Sequence, residues 1–166
     1  QRLMGLRDYS LALLYTSTLE ERYGSAAEGR QAQNFRAQAY QALGYATTAE
    51  AIWRNLLSAA PASAEAQEAG ERLAVLLFNT GQPEAAVRIW LDRAKAAERP
   101  LDQACAWYNA GVLARAGGAQ FQPEAIGYLR QVVSEHPATI YAGLAQAALK
   151  GMTNESIGEL LQGAGI

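Results

Sequence analysis

A chain of 166 residues with 14 lysines and arginines against 16 aspartates and glutamates has a formal net charge of −2, without the basic excess on which a nucleic-acid binder depends. Half of its residues are hydrophobic, enough for a real core, yet the longest unbroken apolar run, residues 73–78, is far below the roughly 20 residues needed to span a bilayer. The lone Cys105 excludes an internal disulfide and leaves the redox compartment open.

The chain opens on Gln1 rather than methionine, in front of "RLMGLRDYSLALLY", as in a processed protein or an excised segment. A missing signal peptide or lipid anchor is therefore no argument for the cytoplasm. Alanine, leucine, glutamate, glutamine and arginine dominate, and no stretch alternates apolar and polar residues long enough to read as a strand. The reading is all-α. Helices are expected at about 7–23, 27–43, 47–59, 63–80, 83–97, 101–116, 123–135 and 138–150, with a short ninth after Asn154. The joins carry recognised start and stop residues. Pro83 and Pro123 suit a first helical turn, where no backbone donor is missed, and each is followed by glutamate. Thr47 with Glu50 matches a capping box, and Gly81 and Gly117 fall where a helix closes through a left-handed residue.

Regular joins call for a repeat test. Residues 35–61, 73–100 and 107–137 align: a first helix ends near Gly44, Gly81 or Gly118, and a small residue follows at Ala49, Ala86 or Ala125. A large residue comes next at Trp53, Trp90 or Leu129, and a proline closes the unit at Pro61, Pro100 or Pro137. The glycines are 37 residues apart twice, and the alanines 37 and then 39. Such units cannot bury their apolar faces alone, so Trp53 and Trp90 read as core between neighbouring hairpins, and Trp107 likewise as structural. Gly111, inside the helix of "WYNAGVLARAGG", marks a place where two helices of a hairpin cross closely; Ala37 and Ala74 serve the same purpose less radically.

Chemistry finds little support in the residue pattern. His136 is the only histidine and has no ligand-spaced companions, so no metal is expected. Cys105 has no histidine spaced locally to activate it and reads as a small, half-buried residue. The carboxylate pairs Glu20/Glu21, Glu65/Glu68 and Glu68/Glu71 sit at exposed-looking helix positions and read as solvated faces. The glycine-rich "GGAQFQ" and the "GAG" near residue 165 have no Lys-Ser/Thr partner for a phosphate, and "NES" at 154–156 is only a formal glycosylation match. The densest basic group, Arg88, Arg93, Lys95 and Arg99, is interleaved with Asp92 and Glu98 and reads as a salt-bridged helix face, so no nucleic-acid partner is expected.

The repeat resembles the tetratricopeptide repeat family. The third unit carries the likeness best, through Trp107, Ala110-Gly111, Gly118, Ala125 and Pro137. The first matches through Ala37, Tyr40, Gly44, Ala49, Trp53 and Pro61, and the second through Leu73-Ala74, Leu77, Gly81, Ala86 and Trp90. The departures are units longer than usual, about two extra residues in "GGAQFQP", Gly70 where an aromatic is expected, and a late Pro100. The resemblance implies one all-α domain, a right-handed superhelix of antiparallel helical hairpins (a TPR-like solenoid) over 1–166. Its units lie at about 30–66, 67–103 and 104–137, with partial units at 1–29 and 138–166; residues 7–23 are the second helix of an interrupted unit.

In that family the first helices line a concave groove that accepts a peptide, a helix or a neighbouring domain. Carried over position by position, the groove comprises Gln31, Asn34, Gln38 and Gln41, then Glu68, Glu71, Val75, Phe78 and Asn79, then Cys105, Tyr108, Val112 and Arg115. Amides there satisfy the main chain of an extended ligand while Phe78 and Tyr108 anchor it. The basic clamp that captures a C-terminal carboxylate is missing, since only Arg115 has that character. The functional expectation is a non-enzymatic scaffold with a protein or peptide partner, no cofactor and no catalytic residue. "SEHPATIYAGLAQAAL" (134–149) also resembles junctions of bacterial envelope repeat proteins, which implies a periplasmic or envelope setting and a part in assembling an envelope complex. Two alternatives stand beside it: an accessory region of a larger enzyme, such as a cell-wall lytic one, and an oligomerisation module. The ending "LLQGAGI" supplies no solvating helix, so the last hairpin is expected to pair with another copy or continue into further chain.

Overall fold

The described residues form eight α-helices and one short 3-10 turn: α1 (Leu6–Tyr23), α2 (Ala27–Ala42), α3 (Ala46–Ala59), α4 (Ala64–Asn79), α5 (Pro83–Ala96), α6 (Pro100–Ala116), the turn Ala119–Phe121, α7 (Gln122–Glu135) and α8 (Ile140–Gly163). This is a computed structural model and describes residues 6–24 and 26–163, among which there is no strand. Packing is sequential, α1 on α2, α2 on α3, α5 on α6, α6 on α7 and α7 on α8, with α6 also touching α8. The chain divides into two compact units, Gln1–Leu76 and Leu77–Ile166.

In the first unit, alanines make the tight contacts and a few large side chains fill the remaining space. Ala37, Ala49, Ala66, Ala69 and Ala74 are fully buried, as are Trp53, Leu56 and Leu73. Each large apolar side chain so buried contributes about 1.5–3 kcal/mol relative to exposure. The Trp53 indole cannot be buried without an acceptor for its N–H, and Asn34 provides one: Trp53 Nε1 donates to Asn34 Oδ1 at 2.8 Å, in the interior between α2 and α3. Arg30 Nε pairs with Glu65 Oε2 at 3.1 Å and ties α2 to α4. Arg36 Nη1 meets Glu20 Oε2 at 2.7 Å and ties α1 to α2. Glu20 is therefore not on a solvated face as its sequence position suggested; burial pushes its carboxyl above the ordinary range, opposed by Arg36.

The second unit buries Val87, Trp90 and Ala94 of α5, Ala104, Ala106, Ala110, Gly111 and Ala114 of α6, and Ala125, Leu129 and Val132 of α7. At Gly111 α6 and α7 pack closely. A Cβ there would lie 2.8 Å from Cγ and 2.9 Å from Cδ2 of Leu129. Across the α5–α6 pair, Gln103 Nε2 donates to the Ala94 carbonyl at 3.2 Å.

Turn chemistry follows the repeat, with corrections. Gly44, Gly81 and Gly118 all have positive φ, at 86°, 79° and 116°, so the residue that recurs every 37 positions is the left-handed one closing each first helix. Gly117, expected in that place, is right-handed at φ −71°; Gly118 takes the role. Pro83 opens α5 at its first position as expected, and Pro100 does the same for α6. The Thr47/Glu50 capping box does not form: α3 begins one residue earlier, after Tyr45, with no side-chain cap. Ser63 caps α4 instead, its Oγ accepting from the Ala66 N–H at 3.1 Å. The break expected at 150–155 is absent and no ninth helix starts after Asn154, since α8 runs through Gly151 without interruption. A glycine inside a helix costs about 1 kcal/mol and does not by itself stop one.

Candidate protein-binding surface

The face of α4 turned away from the core carries the candidate surface of the first unit. Residues three and four apart share one side of a helix. With Ala66, Ala69, Leu73 and Ala74 inside, Glu68, Glu71, Arg72 and Val75 are left on the opposite side. Together with Gln41 from α2 they line an open depression of about 380 Å³. Four residues assigned to the groove from sequence, Gln41, Glu68, Glu71 and Val75, are thus brought together, and Arg72 joins them. Val75 is 53% exposed on a helix whose leucines, Leu73, Leu76 and Leu77, are all inside. Glu68 Oε1 accepts from Arg72 at 2.8 Å; an ion pair this exposed adds little to stability, so a ligand charge exchanges with it cheaply. Two carboxylates against one guanidinium give the depression an acidic balance.

The remaining positions of that unit separate. Gln31 is exposed and outside the depression. Gln38 is half-buried, with its Nε2 shielded from solvent and without a protein acceptor. Asn34 corrects the expectation most clearly: at 2% exposure and committed to Trp53, it belongs to the core and touches no ligand. The signal that could have identified it is the tryptophan itself, which needs an acceptor when buried.

In the second unit, Phe78 is half-buried and Asn79 exposed at the end of α4. Tyr108 packs its ring against Tyr141 of α8, with centroids 5.7 Å apart and planes at 42°, which spends part of its surface on the fold. Val112 is exposed one turn further along, and the Arg115 guanidinium reaches within 3.9 Å of where a Cβ at Gly151 would be. Cys105 is half-buried as expected; its carbonyl accepts from Asn109 Nδ2 at 2.9 Å, and its thiol sulfur lies 3.4 Å from the same nitrogen. A second depression of about 400 Å³ lies between the turns, lined by Gly81, Gln82, Pro83, Glu84, Ala85, Gln120 and Phe121. It contains none of the sequence-assigned residues. Trp107 is half-buried against Tyr128, centroids 5.7 Å apart, and its shielded indole N–H has no protein acceptor.

Among the described residues no three His, Cys, Asp or Glu side chains are placed to hold a metal ion, and no helix is long and apolar enough to cross a membrane. No protein-family model and no curated protein matches the chain.

Proposed function

We propose that the chain is a protein-interaction scaffold of the tetratricopeptide-repeat kind, in which first helices of successive hairpins present a peptide-binding face. The observation that supports this reading is the depression in the first unit, where residues of α2 and α4 that the repeat register assigns to a groove converge around exposed Val75. Contacts between first helices agree with it: Arg30 to Glu65 joins α2 to α4, and Tyr108 to Tyr141 joins α6 to α8. The ligand best suited to this lining is an extended segment with a basic side chain for Glu68 and Glu71 and an apolar one for Val75. No step of covalent chemistry is assigned to it, and the setting we propose is the bacterial envelope, on the likeness of residues 134–149 to envelope repeat junctions.

The test is to pan a displayed random peptide library against the whole chain and titrate the enriched peptides calorimetrically. The variant Gln41→Ala/Glu71→Ala/Val75→Ala, checked for unchanged helicity, should bind them at least about tenfold more weakly, a loss of about 1.4 kcal/mol. Enriched peptides that bind the variant equally well would place the ligand elsewhere and overturn the assignment.

A further inference from the structure

The depression of the first unit is already filled at one point by a side chain of the protein itself. Glu68 and Arg72 stand one turn apart on α4 and both line it. Arg72 donates twice, from Nε at 3.0 Å and from Nη2 at 2.8 Å, and both bonds fall on one carboxylate oxygen, Glu68 Oε1. No described residue donates to the other oxygen, Oε2. The two side chains are 49% and 41% exposed, so the pair contributes little to the fold and opens at small cost.

A guanidinium and a carboxylate bind most strongly through two parallel bonds, one to each oxygen. Arg72 does not make that pairing. A guanidinium arriving from the open side of the depression is not tied to α4 and is able to face both oxygens, which gives it an advantage over the resident one. An ammonium has no such advantage, because it is a compact, strongly hydrated point charge without the planar fork. The pair Arg54 to Glu50 on α3 has the same spacing and the same 2.8 Å separation, but lies outside the depression and supplies a comparison.

We propose that Arg72 is a resident competitor in the depression: the partner segment carries an arginine whose guanidinium displaces that of Arg72 from Glu68, and this exchange selects arginine over lysine. The inference rests on the binding face given under Proposed function, which calls only for a basic side chain. Its consequence runs opposite to that of an ordinary contact residue, since removing Arg72, which lines the site, strengthens binding.

The test titrates the peptides enriched on the whole chain, by calorimetry, against the chain and variants of unchanged helicity. Arg72→Gln should bind them about two- to fivefold more tightly, the factor that an exposed ion pair is worth. Arg54→Gln removes the same charge from the same kind of pair and should leave the affinity as it is. In a Glu68→Gln background the gain from Arg72→Gln should vanish, because no carboxylate is left to compete for. Lysine in place of the peptide's arginine should weaken binding at least about threefold. Enriched peptides without arginine, an Arg72→Gln variant that binds no more tightly, a gain that persists in Glu68→Gln, or lysine peptides that bind equally well would each overturn the exchange while leaving the binding face in place. Peptides that bind the Gln41→Ala/Glu71→Ala/Val75→Ala variant as tightly as the chain would remove the face itself, and the exchange with it.

Discussion

Replacing Gly111 by alanine sets two effects of known size against each other. An interior helical glycine gives way to alanine with a gain of about 1 kcal/mol. Against this, the new Cβ would lie 2.8 and 2.9 Å from two carbons of Leu129 and 3.4 Å from the Ala125 carbonyl oxygen. Leu129 is fully buried, so overpacking of about 1–3 kcal/mol is expected. The balance is a net loss of about 1 kcal/mol, or about 2–4 °C in Tm for a chain of this size. Gly127 is the internal control: it lies in α7 with nothing within 4 Å of a Cβ, so Gly127→Ala should stabilise by about 0.5–1 kcal/mol. Both substitutions change the unfolded chain in the same way, so their difference, about 2 kcal/mol in urea denaturation, isolates the helix crossing. In a Leu129→Ala background Gly111→Ala should become favourable. If Gly111→Ala stabilises as much as Gly127→Ala in the intact chain, α6 and α7 do not meet there and the packing argument fails.

Asn34→Ala should cost about 1–3 kcal/mol, since the Trp53 N–H stays buried without an acceptor, whereas Gln31→Ala on the exposed side should stay within about 0.5 kcal/mol; urea midpoints compare them directly. Gly118→Ala should lose about 1–3 kcal/mol in the same assay, because φ 116° with ψ 176° is a conformation that alanine resists. The Glu65 carboxyl is held below the ordinary value of 4.5 by its own backbone N–H and by Arg30. A depressed folded-state pKa adds stability above 4.5 that disappears as pH falls through the folded value. The stability gap between the chain and Glu65→Gln, up to about 1 kcal/mol at neutral pH, should therefore close on acidification, and a gap that widens instead would reverse the assigned sign.

The sequence conveyed most of the architecture because its punctuation is local. Gly44, Gly81 and Gly118 recur at a fixed spacing and all three need the left-handed conformation, so chain order alone located the hairpin turns. Pro83 and Pro123 lack a donor that a first turn does not use, which placed the starts of α5 and α7 closely. What was not legible depended on partners distant in sequence. Asn34 sits among Gln31, Gln38 and Gln41 and has the same polar character; only its acceptor bond to Trp53, 19 residues away, makes it core. Glu20 looks solvated until Arg36 of the next helix is beside it. Arg72 carries no mark in the sequence beyond its four-residue spacing from Glu68, which is that of any solvated helix pair, yet that same face forms part of the depression with Gln41. The start of α3 was misplaced because the Thr47/Glu50 spacing satisfies the capping pattern without either side chain being used.

The central claim, that a protein ligand lies across α2 and α4 of the first unit, is tested most directly by mapping a bound peptide on the isotope-labelled chain. With an enriched peptide added stepwise, the account expects the largest NMR shift changes at the Val75 methyl groups, the Gln41 side-chain amide and the backbone amides of 68–75, saturating together. Saturable changes confined to α3, α5 or α7, with Val75 and Gln41 unmoved, would contradict it.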